Sequence, residues 1–381
     1  MKVLHIGKFY FPFFGGIEKV TQDLVESKEY QTKVSTMVLA HQEDAFVPTR
    51  YEEFNNVEIR KVKCIGRMIY APIAPFFLHE LNKAINDFSP DIIHIHLPNL
   101  SAFACLFSSK AKRIPWIIHW HADVLGNVPD KKVKLFYPIY RLFERQLLSR
   151  AKKVVVTSPP YLAHSESLKS YENKCVIIPI GLKDKVGTYS VNISLNKSHL
   201  DLLMIGRLTY YKGHELLIRA LALLPPYFNV TLSIIGKGEL QVPLQTLVDE
   251  LSINDRIRFL GSVDDNVLNH YLINTDLLCL PSIEKTEAFG VVLLEAAMNS
   301  KPSLVTDVLG SGMSWVVQDN NTGYVVPNNN VEALAKQISY IYSNKEELNS
   351  FGKNARCRFE QVFSINKVAE NFVTLYESCL E

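Results

Sequence analysis

The chain has no run of the roughly 18 to 20 uninterrupted apolar residues that a membrane span needs, so any contact with a bilayer is expected to be peripheral. It has no cysteine pair at CxxC spacing: the six cysteines, at 64, 105, 175, 279, 357 and 379, lie far apart. That pattern fits neither a zinc ribbon nor a small disulfide scaffold, and it reads as reduced thiols in the cytoplasm. Net charge is nearly absent too, with 41 basic against 39 acidic side chains. No global field argues for nucleic acid, and any electrostatic site must be local. The fingerprint GxGxxG is missing; its nearest approach, Gly236 and Gly238 in IIGKGELQ, lacks the third glycine, which weakens a dinucleotide-dependent oxidoreductase reading. No DxD occurs, so a carboxylate-held Mg²⁺ is not suggested. The opening MKVLHIG carries no long apolar region with a small-residue cleavage site, and it reads as a first strand rather than a secretory signal.

What is present is alternation. Short β-branched runs (KVLHI, KVSTMVLA, DIIHIHL, PWIIHWH, KKVVVTS, KCVIIPI) are separated by amphipathic stretches, and after a polar segment the pattern restarts with LLMIG, VTLSIIG, IRFLG, DLLCLPS and PSLVT. Such βαβ alternation predicts parallel sheets covered on both faces. At 381 residues the chain is long enough for two domains. The expected fold is α/β, with two doubly wound Rossmann-like domains facing each other across a cleft. The first spans 1–181, a linker 182–198, and the second domain 199–360; from about Val331 the sequence reads as consecutive helices.

Ligands of open α/β sheets bind beyond the carboxyl ends of the strands, which directs attention to the loops there. In GKFYFPFFGGIEKV, Gly15 and Gly16 open a helix where a phosphate can approach backbone N–H groups, although a plain turn has the same sequence. In IGRLTYYKGHELL, Arg207 follows a strand and Lys212 precedes a helix, a placement suited to neutralising a diphosphate. In EKTEAFGVVLLEA, Glu287 lies in a loop, Phe289 and Gly290 mark the helix start, and Glu295 lies inside the helix. Eight residues of helix span about 12 Å, on the order of the distance between the sugar and the ribose of a nucleotide sugar. A helix-entry glutamate with a solvated partner is the plainer reading of the same residues.

His94 and His96 share one strand face, as do His119 and His121 on another strand. Without an acidic or cysteine ligand at usual spacing they are read as core or cleft-wall histidines, and no metal site is expected.

E-x7-E with Phe-Gly after its first glutamate, the upstream GRL…KG pair and the N-terminal GG, in this order, resemble the retaining GT-B glycosyltransferases of family 4 over essentially the whole chain. The resemblance implies a C-terminal helix, 361–381, that packs back on the first domain. It implies that Glu287 contacts the donor hexose and Glu295 the ribose, that Phe289 and Gly290 belong to the same donor motif, that Arg207 and Lys212 meet the leaving diphosphate, and that Gly15 and Gly16 line the donor cleft. HWHADV looks like the histidine loop of the polysaccharide-assembly members, which puts His121 against the sugar near the reacting carbon with Asp123 nearby. Ser314-Trp315 departs from many members, which carry a glutamate there; comparable Ser-Trp variants occur in enzymes that resemble O-antigen transferases.

The activity so implied is hexose transfer from a nucleotide-diphosphate sugar, UDP-hexose or GDP-mannose, to a glycan acceptor that is lipid-linked in similar enzymes of lipopolysaccharide and polysaccharide biosynthesis. No cofactor is expected, and transfer is expected to be metal-independent and retaining. DKKVKLFYPIYRLFERQLLSRAKK, residues 130–153, is basic and amphipathic, and it is a candidate for peripheral docking at the cytoplasmic face of the inner membrane. The competing readings are a sugar-nucleotide epimerase of the same fold and a non-catalytic sugar-nucleotide scaffold.

Overall fold

The computed structural model describes residues 1–13, 15–68, 71–124, 131–184 and 198–381, with the backbone alone at 68 and 131–133. Most of the predicted linker therefore lies outside the described residues. The chain divides into a first unit, Met1–Lys183 with Ser364–Glu381, and a second unit, Asp184–Phe363.

The first unit holds β1 (Lys2–Ile6), β2 (Ser35–Ala45), β3 (Arg50–Phe54), β4 (Val57–Cys64), a small hairpin of β5 (Gly66–Met68) and β6 (Ala71–Ile73), then β7 (Ile92–Leu97), β8 (Trp116–Trp120), β9 (Lys153–Val156) and β10 (Cys175–Ile177). Its main sheet runs β10-β9-β8-β7-β1-β2-β4-β3, and only the edge pair β3 and β4 is antiparallel. β7 and β8 are buried at every position, which is why they read as continuous apolar runs in sequence. The helix Ile365–Leu380 completes this unit. Its Ile365, Val368, Ala369, Phe372, Val373, Tyr376 and Cys379 recur at helical spacing and are buried in one core with Val3, Leu24, Ile92 and Ile117. The chain's exit and return lie side by side, since Ile365 N–H donates to the Leu182 carbonyl at 2.9 Å.

The second unit holds β11 (Leu200–Ile205), β12 (Val230–Ile235), β13 (Ile257–Gly261), β14 (Leu277–Leu280), β15 (Ser303–Thr306) and β16 (Gly323–Val326), all parallel, in the order β13-β12-β11-β14-β15-β16. Leu202, Met204, Leu232, Ile234, Leu277 and Leu304 from the strands and Leu217, Leu221, Leu334 and Ile338 from the helices form its core. The sequence reading did not anticipate β3, β4, the small hairpin or β16.

Candidate active site

In the second sheet, β12 and β13 lie to one side of β11, whereas β14, β15 and β16 lie to the other. Strand order thus reverses between β11 and β14, and at such a point the loops beyond the carboxyl ends diverge and leave room for a ligand. The loop after β11 carries Arg207 and Lys212; the loop after β14 carries Glu287 and ends at Gly290, which caps the helix Val291–Met298.

The two loops are joined by an ion pair between Lys212 Nζ and Glu287 Oε2, whose side chains are only 13% and 11% exposed. Charges so far from water are tolerated when each meets its partner. The backbone enforces the meeting. Gly213 has φ 74°, and a Cβ on it would lie 2.0 Å from the Pro281 carbonyl oxygen, so only glycine lets the loops close at this point. Ile283 N–H donates to the Tyr211 carbonyl at 2.8 Å, and on the other flank the Ser311 hydroxyl donates to the Glu287 carbonyl at 2.5 Å and Gly312 N–H to the Ala288 carbonyl at 2.8 Å. Glu287 is therefore held from both sides.

Phe289 is buried behind this loop, its ring centroid 6.3 Å from that of Trp315 and 6.1 Å from that of Phe363, and the Arg358 guanidinium lies over both partner rings. Trp315 packs as the wall that supports Phe289. Glu295 is partly buried on the helix that Gly290 starts. Arg207 differs from Lys212: its side chain is 72% exposed and one nitrogen lies 3.3 Å from Glu239 Oε2. The two cations grouped by sequence thus stand in different settings, and Glu239 was not foreseen. Nor was His214, buried just after Lys212; its imidazole is pushed down to about 4, chiefly by burial and further by the Lys212 charge, so it stays neutral near pH 7.

In the first unit the strand order reverses between β1 and β7. Gly15 is the N-cap of the helix Gly16–Val25, and a Cβ on it would lie 2.1 Å from Glu18 Oε2, whereas nothing lies within 4 Å of one on Gly16. The Glu18 carboxylate therefore stands beside Gly15 at the helix start. Burial raises the pKa of Glu18, against the opposing pull of its own backbone N–H and Lys8. Its place at the third helical position, from which glutamate reaches back to the cap, is the signal that could have revealed it.

His121 follows β8 and is buried; its N–H donates to the Leu97 carbonyl at 3.1 Å, and its Nε2 lies 3.0 Å from His96 Nδ1. Asp123 accepts from Trp120 Nε1 at 2.9 Å and from the Ser165 hydroxyl at 2.7 Å, so its carboxylate fixes the loop that carries His121. The cluster is larger than the four histidines read from sequence. Register places His5 opposite His94 and His96 opposite His119, so five imidazoles share one sheet face. All five are driven below their ordinary pKa of 6.5, first by burial and, for all but His96, also by neighbouring rings. The triads His5-His94-His96 and His96-His119-His121 each bring ring nitrogens within 4.8 Å of one another. The ring nitrogens that would have to converge on an ion already face one another, His96 Nδ1 with His121 Nε2 and His96 Nε2 with His5 Nδ1, each at 3.0 Å, and neither triad contains an anionic ligand to balance a dication.

Residues 15–181 match the model of the glycosyl transferase 4-like domain, and residues 188–358 that of the glycosyl transferases group 1. This chain is a GT-B glycosyltransferase of the family 4 type. The glycosyltransferase is 28% identical to the O-antigen chain mannosyltransferase C of Escherichia coli, over 100% of this chain and 99% of the relative. It is 26% identical to a D-rhamnosyltransferase of Pseudomonas aeruginosa, over 96% of this chain and 92% of the relative. Two solved structures share its fold: sucrose-phosphate synthase from Thermosynechococcus elongatus (TM-score 0.76, 21% identity, 99% of this chain and 98% of that one) and HepE from Anabaena in complex with UDP (TM-score 0.72, 19% identity, 99% and 100%).

Proposed function

We propose that this glycosyltransferase moves a manno-configured hexose from a nucleoside-diphosphate donor onto a growing surface-polysaccharide glycan, with retention at the anomeric carbon. The observation that carries the reading is the Lys212–Glu287 pair at the reversal between β11 and β14, held by backbone contacts on both flanks. Lys212 and the exposed, turnable Arg207 neutralise the departing diphosphate, with the N-terminus of Val291–Met298 adding its dipole. Glu287 accepts from the sugar hydroxyls and Glu295 from those of the ribose. His121 faces the sugar. The bond from C1 to the phosphate oxygen breaks with its electron pair going to the nucleoside diphosphate; the acceptor hydroxyl oxygen bonds C1 on the same face, and its proton passes to a phosphate oxygen. No carboxylate-held metal takes part.

The sugar assignment follows the full-length relatives, one a mannosyltransferase and one a D-rhamnosyltransferase, since D-rhamnose is 6-deoxymannose. A UDP complex of a protein of this fold keeps uridine donors in the test set. Thermal shift against GDP-mannose and several UDP-sugars, followed by assay of nucleotide release, decides: donor at 100 Kd raises stability by about 2.7 kcal/mol. Binding without release of nucleoside diphosphate would make the chain a scaffold and sink the proposal.

A lipid-linked acceptor is supported by the helix Lys131–Arg150 of the first unit. Leu135, Ile139 and Leu142, one turn apart, are exposed, as are Phe136, Lys134 and Arg145. The side chains of Lys131 and Lys132 lie outside the described residues. No helix among the described residues is long and apolar enough to cross a membrane, so docking on anionic lipid is peripheral. Flotation with anionic vesicles is expected to weaken in Leu135→Glu with Ile139→Glu; unchanged partitioning would remove this part of the reading.

A further inference from the structure

The histidines of the first unit are linked in a single file. His121 Nε2 lies 3.0 Å from His96 Nδ1, His96 Nε2 lies 3.0 Å from His5 Nδ1, and His5 Nε2 lies 2.8 Å from the Tyr30 hydroxyl. The Tyr30 hydroxyl donates to that of Tyr376 at 3.2 Å, and Tyr376 stands 2.5 Å from His94 Nδ1. Each bond needs one proton, and each neutral imidazole or phenol supplies one. Burial keeps these imidazoles neutral near pH 7. The count allows two opposed directions along the file, and the bond that Tyr30 donates to Tyr376 selects one of them. Tyr30, having donated, must accept from His5 Nε2–H; His5 Nδ1, now bare, accepts from His96 Nε2–H; His96 Nδ1 accepts from His121 Nε2–H. At the far end Tyr376 donates to His94 Nδ1, and His94 Nε2 is the file's one loose end, buried without a partner.

We propose that Tyr376, on the helix Ile365–Leu380, is a positioning residue that sets the tautomer of His121 through this file of hydrogen bonds. His121 is thereby fixed with its proton on Nε2 and the lone pair on Nδ1. Resting on the reading that His121 faces the sugar, it meets a sugar hydroxyl as an acceptor and not as a donor. His119 stands outside the file, since neither of its ring nitrogens has a partner.

The test uses full-length protein labelled with ¹⁵N-histidine, whose long-range ¹H–¹⁵N spectrum reports which ring nitrogen carries the proton; His121→Asn assigns the His121 signals. Wild type is expected to show Nε2–H at His5, His96 and His121. In Tyr376→Phe the Tyr30 hydroxyl loses its acceptor and turns its proton toward His5 Nε2, so all three rings move their proton to Nδ1 together. Phe372→Leu, which alters packing on the rings of His94 and His119 but offers no hydrogen bond, is expected to lower stability without moving any proton. A His121 that keeps Nε2–H in Tyr376→Phe overturns the proposal. So does a wild-type spectrum in which the three rings differ, which decides the matter even if the variant is too unstable to study. Turnover tests the other reading separately: kcat is expected to fall about tenfold in Tyr376→Phe with donor KM little changed, whereas a flipped His121 with normal kcat would remove His121 from the chemistry and leave the file intact.

Discussion

The first unit lines its strand ends with neutral rings, and the second lines its own with opposite charges. In the first, five imidazoles and two phenols are buried, and all but His119 are ordered by the direction of their hydrogen bonds. In the second, Lys212 with Glu287 and Arg207 with Glu239 are ordered by charge on the loops after β11, β12 and β14. A neutral file fixes where protons sit and responds to acid; a charged pair fixes where an anion is stabilised and responds to loss of either member. One chain thus uses two means of holding a side chain in place, the direction of hydrogen bonds in the first unit and opposite charge in the second.

The largest expected effect is on the charged side. Lys212→Ala or Arg207→Ala is expected to lower kcat/KM by at least about 100-fold, as for loss of a group that stabilises developing charge. Steady-state kinetics with the identified donor checks this, and near-normal turnover in both would erase the electrostatic half of the contrast.

Next in size is the response to acid. The five imidazoles have folded pKa values below 6.5, with His96 down to about 3. As pH falls below 6.5 the unfolded chain takes up protons that the native first unit refuses. Stability, full above 6.5, is therefore lost through the window from there toward 3, at about 1.4 kcal/mol per pH unit for each imidazole. The second unit has one buried histidine with such a shift among its described residues, His214. Urea unfolding at pH 7.5 and 5.5, followed by Trp116 and Trp120 for one unit and by Trp315 for the other, should show the steeper loss in the first. Equal losses would break the comparison.

The smallest concerns how each site is framed. Gly213→Ala places a Cβ against Pro281 at positive φ and is expected to cost at least about 2 kcal/mol, whereas Gly16→Ala meets open space and is expected to change stability by less than about 1 kcal/mol. Thermal or chemical denaturation of the two variants side by side decides it.

The parallel strands were legible because burial leaves short runs rich in apolar and β-branched residues, such as IIHIHL and VTLSII. β3 was not, because RYEEF is exposed at every position and carries no alternation. The order of motifs gave the family, and the helix start at Gly290 followed from its Phe-Gly signal. Pairings that depend on strand order were hidden: Lys212 meets Glu287, 75 residues on, only because β14 inserts beside β11. His5 joins the other histidines only because β1 lies beside β7. A lone histidine in KVLHI has no periodic signature to betray it.

The helix Ile365–Leu380 has a consequence for how the protein is made. It belongs to the first unit, yet the ribosome reaches it only after translating the whole of the second. Until then the nascent first unit lacks Phe372 and Tyr376 over its histidine face, so the earliest-synthesised half is the one that must wait for the latest segment. Chaperone dependence and sensitivity to premature termination should therefore concentrate in the amino-terminal half.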